Sequence, residues 1–135
     1  MEEYFVAPIG LVHSRLKNLA DCPLQEHEGA PEAYLELNPD YQVGLDGIVV
    51  GMELVILTWL HLADRNTLKC YMRNERTGGI TGVFSTRSPD RPNPIGMHTV
   101  TVLEIVNRNT LRVYPLEALD STPLLDIKPF FNSAK

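Results

Sequence analysis

Between Met97 and Tyr114 the chain carries a pattern that only an extended backbone can use. Thr99, Thr101, Leu103 and Ile105 alternate with Val100, Val102, Glu104 and Val106, the period of two that sends successive side chains to opposite faces of a strand. Arg108-Asn109 then turns the chain, and Thr110–Tyr114 returns with Arg112 on the face opposite Leu111 and Val113, which completes a hairpin. The remaining regular segments are also short and strand-like. Glu53–Leu62 is a nearly continuous apolar strand that predicts burial on both faces. Asn66 turns the chain into a second strand, Thr67–Met72, and Tyr4–Val12 reads as a strand bent at Pro8 and Gly10. No strand is followed by a long amphipathic helix, and neither repeats nor low-complexity tracts occur. The fold expected is therefore all-β: a small closed or nearly closed, antiparallel-rich β-barrel. Its exception is Asn18–Gly47, acidic and broken by Pro23, Pro31 and Pro39, which reads as a long N-terminal loop or arm with a helical turn near Glu32–Leu37.

Length and composition narrow the function classes. At 135 residues the chain is expected to form one domain, residues 1–135. The acidic start Met1-Glu2-Glu3-Tyr4 is unlike a signal peptide. The longest apolar run, Ile48–Leu62, is interrupted by Glu53, Thr58 and His61 and is too short to span a bilayer as a helix. Cys22 and Cys70 lie far apart, so reduced structural thiols in a cytoplasmic protein without membrane contact are expected. His13, His27, His61 and His98 have neither i,i+4 spacing nor cysteine partners, and no metal site is expected.

Net charge is −5, yet the charge is unevenly placed. Residues 1–64 hold 2 basic and 11 acidic side chains, whereas residues 65–135 hold 10 basic and 6 acidic ones. Lys69, Arg73, Arg76, Arg87 and Arg91 cluster against Glu75 and Asp90 alone. A basic face on an acidic body suits a polyanion, although a solvated charged surface has the same signature.

Chemistry concentrates in two stretches. Gly82-Val83-Phe84-Ser85-Thr86-Arg87-Ser88-Pro89-Asp90-Arg91-Pro92-Asn93-Pro94-Ile95-Gly96 combines three prolines with two arginines and several hydroxyl or amide groups. Proline fixes its own φ and restricts the residue before it, so Ser88, Arg91 and Asn93 are pushed toward extended conformations. Polar groups on a stiff loop are the usual architecture of a binding site, with a rigid structural turn as the alternative. In Asp120-Ser121-Thr122-Pro123-Leu124-Leu125-Asp126-Ile127-Lys128-Pro129-Phe130, Asp126 and Lys128 share a face if the chain is extended. They either pair with each other or frame a polar ligand. Phosphate-binding glycine fingerprints and a G-x-S-x-G nucleophile motif are absent.

Gly82–Gly96 followed by Leu124–Phe130 closely resembles the TsaA-like (TrmO) family, and the opening Pro8-Ile9-Gly10-Leu11-Val12-His13-Ser14 resembles the family's start. The resemblance implies a small β-barrel that binds S-adenosyl-L-methionine (SAM), usually as a homodimer. The activity it implies is N6-methylation of threonylcarbamoyl-adenosine at position 37 of a threonine tRNA. Cofactor-binding residues are then Phe84, Ser85, Thr86, Arg87, Ser88, Asn93 and Leu124. Phe84 offers an apolar wall, and Arg87, Ser88 and Asn93 offer partners for the charged ends of SAM. Asp126, alone or through a water held with Lys128, is the expected proton acceptor. Arg73, Arg76, Arg91 and Lys128 are expected to meet phosphates of the anticodon loop. Ser121 stands where the family has a glycine, and no counterpart of the C-terminal domain of longer members is expected within these 135 residues. Two other readings stay open: a SAM-dependent enzyme acting on a small molecule, and a non-catalytic SAM-binding sensor or scaffold.

Overall fold

Six strands close into a barrel in the order β1-β2-β7-β6-β3-β8. They are β1 (Gly10–His13), β2 (Ala33–Leu37), β3 (Glu53–Trp59), β6 (Ile95–Asn107), β7 (Thr110–Tyr114) and β8 (Thr122–Pro129). Two further strands, β4 (Lys69–Tyr71) and β5 (Ile80–Gly82), form a separate two-stranded sheet. The structure is a computed structural model and describes residues 2–17, 31–71 and 79–131. Its contacts divide into two units: a barrel unit, up to Thr58 and from Met97 onward, and an insertion unit, Trp59–Gly96.

The barrel unit is held by side chains that every strand sends inward. Val12, Leu35, Leu37, Leu54, Ile56, Val100, Val102, Leu111, Val113 and Leu124 are at most 3% exposed and form one cluster. Each fully buried side chain of this size contributes about 1.5–3 kcal/mol. Closure also removes the unpaired edges that an open sheet of this size would present. Gly10 marks the tightest approach: a Cβ there would lie 2.2 Å from the Glu36 carbonyl oxygen and 2.8 Å from Leu37 Cα. Only glycine lets β1 begin its pairing at Gly10↔Leu37.

Three expectations are corrected. Glu32–Leu37 is not a helical turn. Ala33, Leu35 and Leu37 are buried while Tyr34 and Glu36 are exposed, a period of two that seats β2 between β1 and β7. The proposed arm therefore contributes a barrel strand, followed by a 3-10 helix at Pro39–Leu45 whose Asn38 cap accepts the Asp40 N–H; residues 18–30 lie outside those described. β3 is buried on one face only, with Leu54, Ile56 and Thr58 inward and Val55 and Leu57 half-buried. The hairpin β6–β7 is as expected, with its turn at Arg108-Asn109, but register shifts at Val102/Glu104 and Ile105/Asn107 interrupt the alternation.

Candidate functional site

Both motif stretches fold into defined local structures, one in each unit. In the insertion unit, Gly82 ends β5 and Val83–Ser85 makes a single 3-10 turn with Val83 buried beneath it. The loop that follows is wrapped around Arg91. Its Nε donates to the Ser88 carbonyl at 2.7 Å, and its Nη2 donates to the carbonyls of Val83 and Thr86 at 2.8 and 2.5 Å. Guanidinium geometry suits this, since a planar fork of fixed donors satisfies several carbonyls at once. Small side chains complete the frame. Thr86 Oγ1 donates to the Val83 carbonyl at 2.8 Å and accepts the Ser88 N–H, and Ser88 Oγ accepts the Asp90 N–H.

This frame sorts the expected residues. Arg91, expected at a phosphate, donates to three carbonyls of its own loop, contacts that hold that loop. Thr86 is likewise turned inward. Phe84 stands 80% exposed, and Ser85, Arg87 and Asn93 are exposed as well. Neither Phe84 nor Arg87 has a side-chain partner among the described residues. Arg73 and Arg76 lie outside the described residues.

In the barrel unit, Asp126 and Lys128 do pair: Nζ lies 3.2 Å from Oδ2, with the carboxylate side chain 47% and the lysine 62% exposed. A bulge produces this arrangement. β8 pairs with β3 at Leu57↔Asp126 and then at Thr58↔Leu124, leaving Leu125 as an extra residue. Thr122 and Leu124 point inward, so unbroken alternation would send Asp126 into the core. The extra residue reverses the phase: Ile127 packs against the core instead, and Asp126 turns outward. Bulges commonly re-aim side chains in this way beside functional sites. Leu124, expected at the cofactor, is 0% exposed, and its side chain packs in the barrel core.

Two polar constellations escaped the sequence reading. Thr58 and His98 are buried in the barrel with Oγ1 and Nε2 3.0 Å apart. Each supplies the other's need for a partner in an apolar interior, and no spacing rule links residues 40 apart. Asp120 clasps the end of β1, accepting the Ser14 N–H at 2.9 Å and meeting Lys17 Nζ at 3.1 Å. The Ser14 N–H first, then Lys17, holds this carboxyl below the usual carboxylate range. Beside it Ser121 adopts φ 69°, the left-handed region where glycine is the easiest occupant. No group of three or more metal-ligating side chains occurs among the described residues.

Comparison with known proteins decides the family. The model of the tRNA-methyltransferase O N-terminal domain matches residues 11–135. The chain belongs to this family. A probable S-adenosyl-L-methionine-binding protein of Methanothermobacter thermautotrophicus is 40% identical over 96% of this chain and 91% of its own length. The probable S-adenosyl-L-methionine-binding protein VirR of Rhizobium radiobacter is 40% identical over 90% of this chain and 67% of its own. A crystal structure of TrmO from P. aeruginosa superposes with a TM-score of 0.78 at 30% identity, covering 99% of this chain. This chain spans 57% of that TrmO chain.

Proposed function

We propose that this chain binds SAM on the Gly82–Gly96 loop and methylates N6 of threonylcarbamoyl-adenosine at position 37 of threonine tRNA, working in the cytoplasm as a homodimer. One observation carries the reading. The loop's arginine-centred frame satisfies its backbone internally and leaves an aromatic ring, a cation and an amide exposed on a stiff support. Those groups fit the cofactor: Arg87, Ser88 and Asn93 suit its carboxylate, and the exposed Phe84 ring suits the flat face of adenine. When bound, SAM supplies a methyl group already activated by its positive sulfur.

The protein's part is then to hold and to remove a proton. A loop ordered before ligand arrives loses little entropy on binding, and fixing donor and acceptor in contact supplies much of the acceleration of an in-line displacement. Asp126 accepts the proton from N6, and Lys128 holds that carboxylate in place. Arg73, Arg76 and Lys128 meet anticodon-loop phosphates. The family's name as a tRNA-methyltransferase domain supports the nucleic-acid substrate. A second reading, binding of SAM with a small-molecule substrate or with none, is favoured by the relatives named only for SAM binding. Incubating the purified chain with SAM and tRNA, followed by digestion and mass analysis of nucleosides, separates them. A methylated threonylcarbamoyl-adenosine that is absent when the tRNA lacks the carbamoyl group supports the first reading. SAM binding without any nucleoside product supports the second.

A further inference from the structure

The proline-rich loop is held by a second arginine that the motif does not contain. Arg65 lies in the turn after β3, where Asp64 Oδ1 accepts the Asn66 N–H and the Asp64 N–H reaches Asp90 Oδ1 at 2.8 Å. Its guanidinium stands 5.1 Å from the centre of the Trp59 ring, within the range of a cation–π contact. Its Nε donates to the Pro92 carbonyl at 2.7 Å and its Nη2 to Asn93 Oδ1 at 3.2 Å. A guanidinium offers five donors and no acceptor. The atom Asn93 turns toward it is therefore the carboxamide oxygen and never the NH2. The backbone of Asn93 is fixed as well, between Pro92 and Pro94, with its carbonyl accepting the Ile95 N–H at 2.7 Å. The side chain is left with its NH2 as the group it presents on an exposed surface.

We infer that Arg65 is a positioning residue that makes Asn93 a dedicated hydrogen-bond donor, so that the ligand atom Asn93 takes is an acceptor, either a carboxylate oxygen or a ring nitrogen. The inference rests on the proposed function for the identity of the ligand as SAM, which carries both acceptors. The Arg65–Asn93 contact stands without it. Arg65 acts on the ligand only through Asn93. Its removal frees the carboxamide to turn over and present its oxygen, which repels the same acceptor.

The test pairs SAM titration with melting of the ligand-free protein. Asn93→Asp keeps an oxygen for Arg65 and replaces the NH2 by a second, anionic oxygen. The expected result is a melting temperature at or above that of the parent and SAM affinity lower by about tenfold or more. 5′-Methylthioadenosine, which lacks the carboxylate, identifies the acceptor: a matching loss points to the adenine nitrogen, an undiminished affinity to the carboxylate. Arg65→Met is expected to weaken SAM binding several-fold under conditions where the protein is fully folded, and Arg65→Lys to restore part of it through its remaining donor. Parent-like SAM affinity in Asn93→Asp, or in folded Arg65→Met, overturns the inference. If the parent itself takes up no SAM, the proposed function falls while the melting arm still decides the contact. An Asn93→Asp effect on melting that is the same with Arg65 as with Arg65→Met then overturns it.

Discussion

Removing the Arg91 guanidinium separates the role its contacts give it from the role its charge suggests. Arg91→Ala deletes three hydrogen bonds to the carbonyls of Val83, Thr86 and Ser88. All three are half-buried, so water recovers part of each, and about 1 kcal/mol apiece is the appropriate magnitude. The sum, about 3 kcal/mol, lowers the melting temperature of a domain this size by roughly 10 °C. Arg91→Lys recovers about a third, since an ammonium is a point charge that serves one of the three carbonyls well. The assay is thermal unfolding followed by circular dichroism, with tRNA affinity measured alongside across a salt series. A melting temperature unchanged in Arg91→Ala, together with a slope of log affinity against log salt shallower by about 0.7–0.9, would overturn the loop-holding role of Arg91. That pair of results is the signature of one lost phosphate contact.

Four further outcomes follow from single contacts. Gly10→Ala forces a Cβ to within 2.2 Å of the Glu36 carbonyl oxygen, so denaturant melts should show a loss of about 1–3 kcal/mol or more from opening the β1–β2 seam. Ser121→Gly relieves a left-handed residue at φ 69° and should gain about 0.5–1 kcal/mol in the same melts, after the entropy glycine adds to the unfolded chain. Asp120 has its carboxyl lowered by the Ser14 N–H and Lys17, so its stabilisation is present above the unfolded value of about 3.9 and is lost as pH falls through the folded one. Asp120→Asn should therefore be less stable than the parent at neutral pH, with the difference closing below about pH 4 in acid titrations. Asp126→Ala should cut methyl-transfer turnover by about 10²-fold or more while leaving SAM affinity nearly intact; equal losses in both would make Asp126 a binding residue.

The parts of this molecule legible in its sequence are those governed by neighbours along the chain. The β6–β7 hairpin could be read because alternation and a two-residue turn are local. β2 was hidden by its setting: five residues between prolines and acidic side chains carry a strand pattern too brief to outweigh the loop composition around it. Barrel neighbours on both sides decide it. The outward turn of Asp126 depended on a bulge, which has no signature in a run such as Leu124-Leu125-Asp126 until β3 supplies the register. The contacts of Arg91 were hidden for a related reason. Its charge is visible in the sequence, but whether a guanidinium faces phosphate or the carbonyls of its own loop is settled only by how that loop closes. Arg65 lies outside both motifs, and its partners are 27 and 28 residues away.

If the Gly82–Gly96 loop is where SAM binds, photo-cross-linking will locate the cofactor on it. The purified chain is irradiated with methyl-labelled SAM, digested, and its labelled peptides sequenced. Label is expected on peptides containing Phe84–Asn93, competed away by excess unlabelled cofactor. Specific label confined to peptides outside residues 80–96 would place the cofactor elsewhere.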